Sequence, residues 1–318
     1  MLAYILLVLG FVFTVKGAQL LIDGSSYLAQ KIGLSPFIVG ATVVAFGTSM
    51  PELAINLVAI IEDVPDIGLA TLIGSTISTV LITGAVAALI RPLPTRDTIS
   101  SYQLPLAGGL VAVLLILAND FFITDSPSVI SRLDGFALIA IFAIGIYHLI
   151  GQRATHLRND FQHTPKLSLV IALSYIVIGV AGLIIGGDWV VEGAVRLAQI
   201  WGISTPFIGL TIVAIGANLP EIVTAFVGSL RRNTELVIGN IFGSIIFNLG
   251  AVVGLIALIG PITFNPRFNT SIVMALIAIA IFYAIIILGK KRRSIERVEG
   301  LAMICIYLIY LVVVAVEG

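Results

Sequence analysis

Gly47-Thr48-Ser49-Met50-Pro51-Glu52 decides how the chain is read. The hexapeptide lies inside an apolar run from Pro36 to Ile61. A membrane-spanning helix needs about 20 predominantly apolar residues. A carboxylate within such a helix is costly, so it faces a polar cavity or a partner. Pro51 supplies no backbone N–H and clashes with the carbonyl four residues earlier, and Gly47 weakens the same turn. The spacing predicts an interrupted helix, with the carbonyls from Ala45 to Thr48 released from the ladder. Released carbonyls at membrane depth persist only where protein, water or an ion satisfies them. Glu52 beside them outlines an oxygen-rich cation site.

The stretch occurs twice. Gly216-Ala217-Asn218-Leu219-Pro220-Glu221 stands 169 residues later, in an apolar run from Pro206 to Leu230. The same offset brings Gly17 onto Gly186, Asp23-Gly24 onto Glu192-Gly193, and Leu28-Ala29-Gln30 onto Leu197-Ala198-Gln199. It also brings Gly40, Thr42 and Ala45 onto Gly209, Thr211 and Ala214, and Gly74-Ser75 onto Gly243-Ser244. A constant offset across so many glycine, polar and acidic positions means two copies of one unit.

Composition sets the class. Of 318 residues, 59% are hydrophobic and 11% charged, and mean hydropathy is +1.14. Ordinary soluble domains carry roughly 25% charged residues, so the chain reads as a polytopic helical membrane protein. The apolar runs are continuous, which excludes the alternating segments of a β-barrel. Net charge is zero, which gives no case for nucleic acid. Cys305 is the single cysteine, so no intrachain disulfide forms. His148, His156 and His163 lack Cys or His partners at ligand spacing and read as interfacial or solvated.

Ten spans follow in order: Leu2 to Leu21, Pro36 to Ile61, Ile67 to Ile90, Leu104 to Ala118 and Gly135 to Gly151, then Leu167 to Leu197, Pro206 to Leu230, Leu236 to Ile259, Ile272 to Leu288 and Leu301 to Val316. The first lacks preceding basic residues and a small-residue cleavage site, so it reads as retained rather than as a signal peptide. Gly186-Gly187 marks a place for the sixth to tilt or stop. Links after odd-numbered spans carry thirteen Lys and Arg, and the other links carry three. By the positive-inside rule the odd links are cytoplasmic and both termini are extracellular.

An odd number of spans per copy forces the copies into opposite orientations. Glu62-Asp63 in the first becomes Arg231-Arg232 in the second, which puts the basic pair inside. The expected fold is all-α: ten transmembrane helices in two inverted five-helix repeats. The divisions are residues 1–152, a cytoplasmic linker 153–166, and 167–318. Inverted repeats with interrupted helices meeting at the midplane mark secondary transporters. The expected location is a prokaryotic plasma membrane, with the lipid bilayer as partner and no protein partner evident.

Each copy adds a second polar face. Ser75 and Thr79 are four residues apart, hence on one side of a helix, and Ser244 and Asn248 repeat that spacing. Gly74 and Gly243 beside them allow close helix packing. A back-bonded hydroxyl without function is the plain alternative for a lone membrane Ser or Thr. Pairing by repeat symmetry with two membrane carboxylates argues against it here.

At these residues the chain resembles the cation/calcium exchanger superfamily, in its prokaryotic sodium/calcium exchanger type. The doubled hexapeptides carry the resemblance, with Gly74-Ser75-Thr76-Ile77-Ser78-Thr79 and Gly239-Asn240-Ile241-Phe242-Gly243-Ser244-Ile245-Ile246-Phe247-Asn248. The resemblance implies calcium efflux driven by an inward cation gradient, with no cofactor and no enzymatic activity. It implies Glu52 and Glu221 as the main calcium ligands, assisted by backbone oxygens of Thr48 and Ala217. Ser75, Ser244, Thr79 and Asn248 would line the monovalent-ion positions, and Ser49 and Asn218 complete the set. Ala217-Asn218 departs from the usual Thr-Ser pair, and Asn at that place is common in proton/calcium members. Sodium or proton coupling therefore stays open. A cation channel is a third reading, although channels usually build filters from several subunits.

The basic-residue asymmetry generates a topology prediction. In a Cys305→Ser background, a single cysteine at position 158 should resist a membrane-impermeant reagent added outside. Labelling there from outside would refute the orientation.

Overall fold

The computed structural model describes residues 2–95, 102–119, 128–151, 167–202, 214–288 and 294–317. The Arg153 to Lys166 link, Arg96, Lys290 to Arg293, and the opening of the seventh span with Gly209 and Thr211 lie outside the described residues. The chain is all-α. Its helices are α1 (Leu2–Ile32), α2 (Pro36–Thr48), α3 (Met50–Ile61), α4 (Pro65–Ile90), α5 (Leu104–Leu117) and α6 (Arg132–Gly151). Then come α7 (Leu169–Ile200), α8 (Leu219–Leu230), α9 (Thr234–Ile259), α10 (Asn269–Leu288) and α11 (Arg297–Glu317). A single turn, Ala214–Gly216, precedes α8.

Among the described residues, 6 helices are long and apolar enough to cross a membrane: α1, α4, α6, α7, α9 and the segment holding α10. α2 and α3, bent by 45° at their break, make up to 7. Large apolar side chains stand exposed along α1 and α7, among them Tyr4, Val8, Val170 and Val177. Such exposure suits lipid rather than water, and the chain is an integral membrane protein.

Local chemistry sets the helix ends. Ser35 caps α2 by accepting the Ile38 N–H at 3.3 Å, with Pro36 opening the helix. Ser168 caps α7 in the same way, accepting from Ile171 N–H at 3.3 Å. Gly33 after α1 and Gly202 after α7 take φ of 70° and 74°, the left-handed geometry that closes a helix C-terminus. They too are related by the 169-residue offset.

Two helices form the centre. In α4 and α9, 72% and 83% of the apolar window is buried, against 33% or less in α1, α6, α7 and the α10 segment. α1 and α7 pack along each other at close range. A Cβ at Gly17 would meet the Gly179 carbonyl at 2.7 Å, and one at Gly186 would meet the Thr14 N–H at 2.5 Å. α7 therefore runs unbroken through Gly186-Gly187, contrary to the stop anticipated there. The glycines serve packing, because small residues let backbones approach where lipid supplies no hydrophobic drive. α1 likewise continues past Leu21 to Ile32.

Four two-residue strands clip loops together. β1 (Leu93–Pro94) pairs antiparallel with β4 (Ser294–Ile295), and β2 (Val129–Ile130) with β3 (Ile262–Thr263). Each pair joins one half of the chain to the other.

Equivalent glycines differ in what they face. A Cβ at Gly243 on α9 would lie 2.5 Å from the Ala41 backbone on α2, whereas one at Gly74 would meet nothing within 4 Å. Gly243→Ala should lower the thermal midpoint in detergent, with overpacking costing about 1–3 kcal/mol. Gly74→Ala should leave the midpoint unchanged or slightly raised, since Ala is the better helix former. Equal midpoints for the two variants would contradict this packing.

Candidate functional site

The two hexapeptides break their helices in the same way. Ser49 joins α2 to α3 at φ −88°, ψ 8°, and Asn218 leads into α8 at φ −97°, ψ 8°. Pro51 and Pro220 occupy the first turn beyond each break, where a missing N–H costs nothing. Glu52 and Glu221 follow in that same first turn. A helix N-terminus carries positive potential, so each carboxylate sits where a negative charge is favoured.

The released-carbonyl expectation holds only in part. The Ala45 carbonyl stays engaged, accepting the Ser49 N–H at 3.0 Å, with Thr48 Oγ1 3.3 Å away. The Gly47 carbonyl is the one whose helical donor would have been Pro51, which has none.

Side chains from both halves meet between the breaks and the two central helices. Ser75 Oγ lies 3.1 Å from Glu52 Oε1 and 2.8 Å from Asn218 Oδ1, bridging the halves. Thr79 Oγ1 reaches the same Asn218 oxygen at 3.5 Å. Ser49 Oγ donates to Glu221 Oε1 at 3.4 Å. Thr48 Oγ1 donates to Asn240 Oδ1 at 3.2 Å and lies 3.4 Å from Ser244 Oγ. All of these side chains are buried, Glu221 at 0% exposure and Glu52 at 2%.

The carboxylates are incompletely satisfied. Among the described residues, Glu52 Oε2 and Glu221 Oε2 are buried without a hydrogen-bond partner, as are Asn248 Oδ1 and Asn240 Nδ2. Ser49, at the break ahead of Glu52, bonds Glu221, so the two breaks meet at one site. An unpaired buried acceptor costs roughly 1–3 kcal/mol, more when charged. Among the described residues no group of three or more His, Cys, Asp or Glu is gathered. The donor set is oxygen only: two carboxylates with neutral hydroxyls and amides. Hard cations such as calcium, taking 6–8 oxygens, suit that set.

Side-chain contacts take in eight of the ten residues singled out from sequence, and Asn248 sits one turn beyond Ser244 on α9, as Thr79 sits beyond Ser75 on α4. The tenth, Ala217, lies half-buried in the turn before Asn218 and has only a backbone oxygen to offer. Three features were missed. Asn240 holds the Thr48 hydroxyl; its position in the Gly239-Asn240 pair was the available signal. Asn56, one turn beyond Glu52, donates to the Glu52 carbonyl at 2.8 Å and lies 3.4 Å from Thr71 Oγ1. A second polar side chain four residues after a membrane carboxylate was its signal. The third is a widened helical turn in each central helix, Thr79–Thr83 and Phe247–Val252, beginning at or beside Thr79 and Asn248. Such π turns recur at functional sites, and no sequence period announces them.

Comparisons with known proteins identify relatives of the chain and of its fold. Residues 2–151 and 171–316 match the family described as sodium/calcium exchanger protein. CaxA of Alkalimonas amylolytica is 31% identical over 317 residues, covering 97% of each chain. Sodium/calcium exchanger MaX1 of Methanosarcina acetivorans is 28% identical over 345 residues, covering 98% of this chain and 97% of its own. Among solved structures, the sodium-calcium exchanger NCX_Mj soaked with 10 mM Na+ and zero Ca2+ superposes with a TM-score of 0.82 at 24% identity, covering 98% of both chains.

Proposed function

The chain belongs to the sodium/calcium exchanger protein family, and we propose on that premise that it exchanges calcium for sodium across the membrane by alternating access. One observation carries the reading: two buried carboxylates on facing half-helices, each with an unpartnered oxygen, share one hydroxyl- and amide-lined site. Two carboxylates neutralise one calcium ion in a medium where uncompensated charge is prohibitive. Two or more sodium ions neutralise the same pair. Occupancy by one cargo then excludes the other, and that exclusion couples the two fluxes.

In this reading Glu52 and Glu221 are the calcium ligands, with backbone oxygens of Thr48 and Ala217. Ser49, Ser75, Thr79, Asn218, Ser244 and Asn248 supply neutral oxygens for the monovalent ions. Ten crossings in two inverted units, 1–152 and 167–318 about a 153–166 linker, complete the scheme. Contacts between loops support the ten crossings. β1 and β4 join the links after the third and ninth spans, while β2 and β3 join those after the fourth and eighth. Arg231, after the seventh span, bonds Asp23 near the end of the first. Each contact joins links of equal parity, as alternating crossings require.

Proton/calcium exchange is the second reading. Asn218 favours it: its Oδ1 is already taken by the Ser75 and Thr79 hydroxyls, which leaves one fewer free oxygen for sodium.

Glu52→Gln and Glu221→Gln should each abolish calcium exchange in proteoliposomes while the protein stays folded. Each change is nearly isosteric and removes one of the two charges that balance calcium. Wild-type exchange in either variant would sink the assignment.

For the coupling ion, calcium uptake should follow an imposed sodium gradient at fixed pH. Ser75→Ala and Ser244→Ala should weaken sodium dependence more than calcium binding. Uptake that ignores replacement of sodium by a large organic cation, yet collapses with the pH gradient, would move the coupling to protons. A calcium leak without any counter-gradient would instead mark a channel.

A further inference from the structure

At one end of the bundle, three arginines from three separate elements converge on one cleft. Arg91 follows the last residue of α4, Arg232 lies in the turn between α8 and α9, and Arg297 opens α11. With Ile90, Pro92, Ser229 and Leu230 they line an open cleft of about 380 Å³. The strand pairing draws two of them together. β1 and β4 place Leu93 opposite Ile295. Arg91 and Arg297 each lie two residues from that pair, and both line the cleft.

Nothing in the described structure occupies these guanidinium groups. Arg231, the immediate neighbour, is committed to Asp23 and to the Gln19 carbonyl. Arg91, Arg232 and Arg297 make no ion pair with any described residue, and no carboxylate lines the cleft. Glu296, beside Arg297 in sequence, takes the Ser294 hydroxyl at 3.0 Å instead.

Two further observations point to an anionic ligand. Ser229 lines the cleft at 1% exposure, and its buried Oγ has no hydrogen-bond partner. Arg232 is held at φ 61°, in the left-handed region where Asn, Asp or Gly is the usual occupant. Its counterpart at the other end, Asp63, has φ 60° and is one of those residues. An arginine kept there against backbone preference retains a charge that the turn itself does not need.

The repeat supplies an internal control. The 169-residue offset puts Gly260 in place of Arg91, Asp63 in place of Arg232 and Ile60 in place of Ser229. Arg132, which opens α6 as Arg297 opens α11, donates to the Ile259 carbonyl at 3.4 Å. The same backbone arrangement thus carries no basic cluster at the opposite end. The fold does not require the three arginines.

We propose that the Arg91–Arg232–Arg297 cleft binds a phosphate group, supplied by the headgroup of an anionic phospholipid. Guanidinium forks match phosphate oxygens, and basic pockets between helices on the basic membrane face bind anionic headgroups. The setting favours a lipid over a free ion. The cleft lies at the ends of apolar helices, and Leu230 on its lip is 58% exposed, an apolar contact for an acyl chain. Neither carboxylate of the cation site takes part, so the proposal stands apart from the transport reading.

The test uses the full chain in phosphatidylcholine nanodiscs, with and without phosphatidylglycerol, and with inorganic phosphate as a separate arm. Bound lipid is read by native mass spectrometry and the thermal midpoint by unfolding. Phosphatidylglycerol should raise the midpoint of the wild type and remain bound. Arg91→Gln, Arg232→Asn and Arg297→Gln should each weaken its binding about fivefold, the fold-change matching roughly 1 kcal/mol per basic residue. Arg132→Gln should have no effect. Arg232→Asn is safe for the fold because Asn accepts the left-handed turn, so it carries the test even if Arg91→Gln or Arg297→Gln unfolds. Stabilisation by inorganic phosphate alone, lost in the same variants, would keep the pocket and overturn the lipid source. Unchanged phosphatidylglycerol binding in Arg232→Asn, or an equal loss in Arg132→Gln, would overturn the proposal.

Discussion

Two carboxylates buried in an apolar bundle, answered among the described residues by hydroxyls and helix termini, are the constraint around which the rest is arranged. Ser75 Oγ lies 3.1 Å from Glu52 Oε1, Ser49 Oγ donates to Glu221 Oε1, and among the described residues the second oxygen of each carboxylate has no partner. Placing an acidic side chain at the centre of a membrane helix costs about 3 kcal/mol on insertion scales. The half-helix breaks offset part of that cost by turning positive helix ends toward the charges. Pro51 and Pro220 are tolerated only because they open those half-helices. A permanent basic partner would neutralise the carboxylates and leave no work for a cation. Under the proposed exchange, their free oxygens are what would meet one.

Neither half of the chain makes this site alone. Ser75 and Thr79 of the first half converge on Asn218 of the second. Thr48 of the first reaches Asn240 and Ser244 of the second. These bonds cross between α2 or α4 and the opposite half, which demands close helix approach. Gly239 and Gly243 provide it on α9, where any Cβ would strike the α2 backbone at Phe37 and Ala41. The polar network and the glycine packing are therefore one requirement: a larger residue at either glycine would pull Thr48 from its partners.

Much of this was legible in the sequence because repetition doubles every signal. Pro-Glu in an apolar run is weak once and strong twice, and the Ser75/Thr79 and Ser244/Asn248 faces follow from helical spacing. What repetition could not reveal is where the copies differ. Asn56 has Ala225 as its counterpart, so its bond to the Glu52 carbonyl has no echo in the second half. Asn240 has Thr71, which turns back to the Gly68 carbonyl at 2.7 Å instead of crossing the interface. The π turns were hidden for another reason. They depend on the packing of neighbouring helices around Thr79 and Asn248, not on any local propensity. Gly186-Gly187 misled because glycine weakens an isolated helix but tightens a packed pair.

The same departures from symmetry separate the two ends of the bundle. Arg231 ties the turn after α8 to Asp23 on α1, with side chains 35% and 25% exposed. Asn233 adds a bond to Ser26 at 3.1 Å. At the other end the offset replaces Arg231 and Asp23 by Glu62 and Glu192, two acids that repel. Glu192 bonds Arg196 on its own helix at 2.6 Å, so α7 gains no such tie to the turn after α3. A half-exposed ion pair contributes about 1 kcal/mol at most. In the exchange proposed above, a difference of that size would skew two end states about fivefold and leave both accessible, whereas a buried, fully paired latch would hold one state.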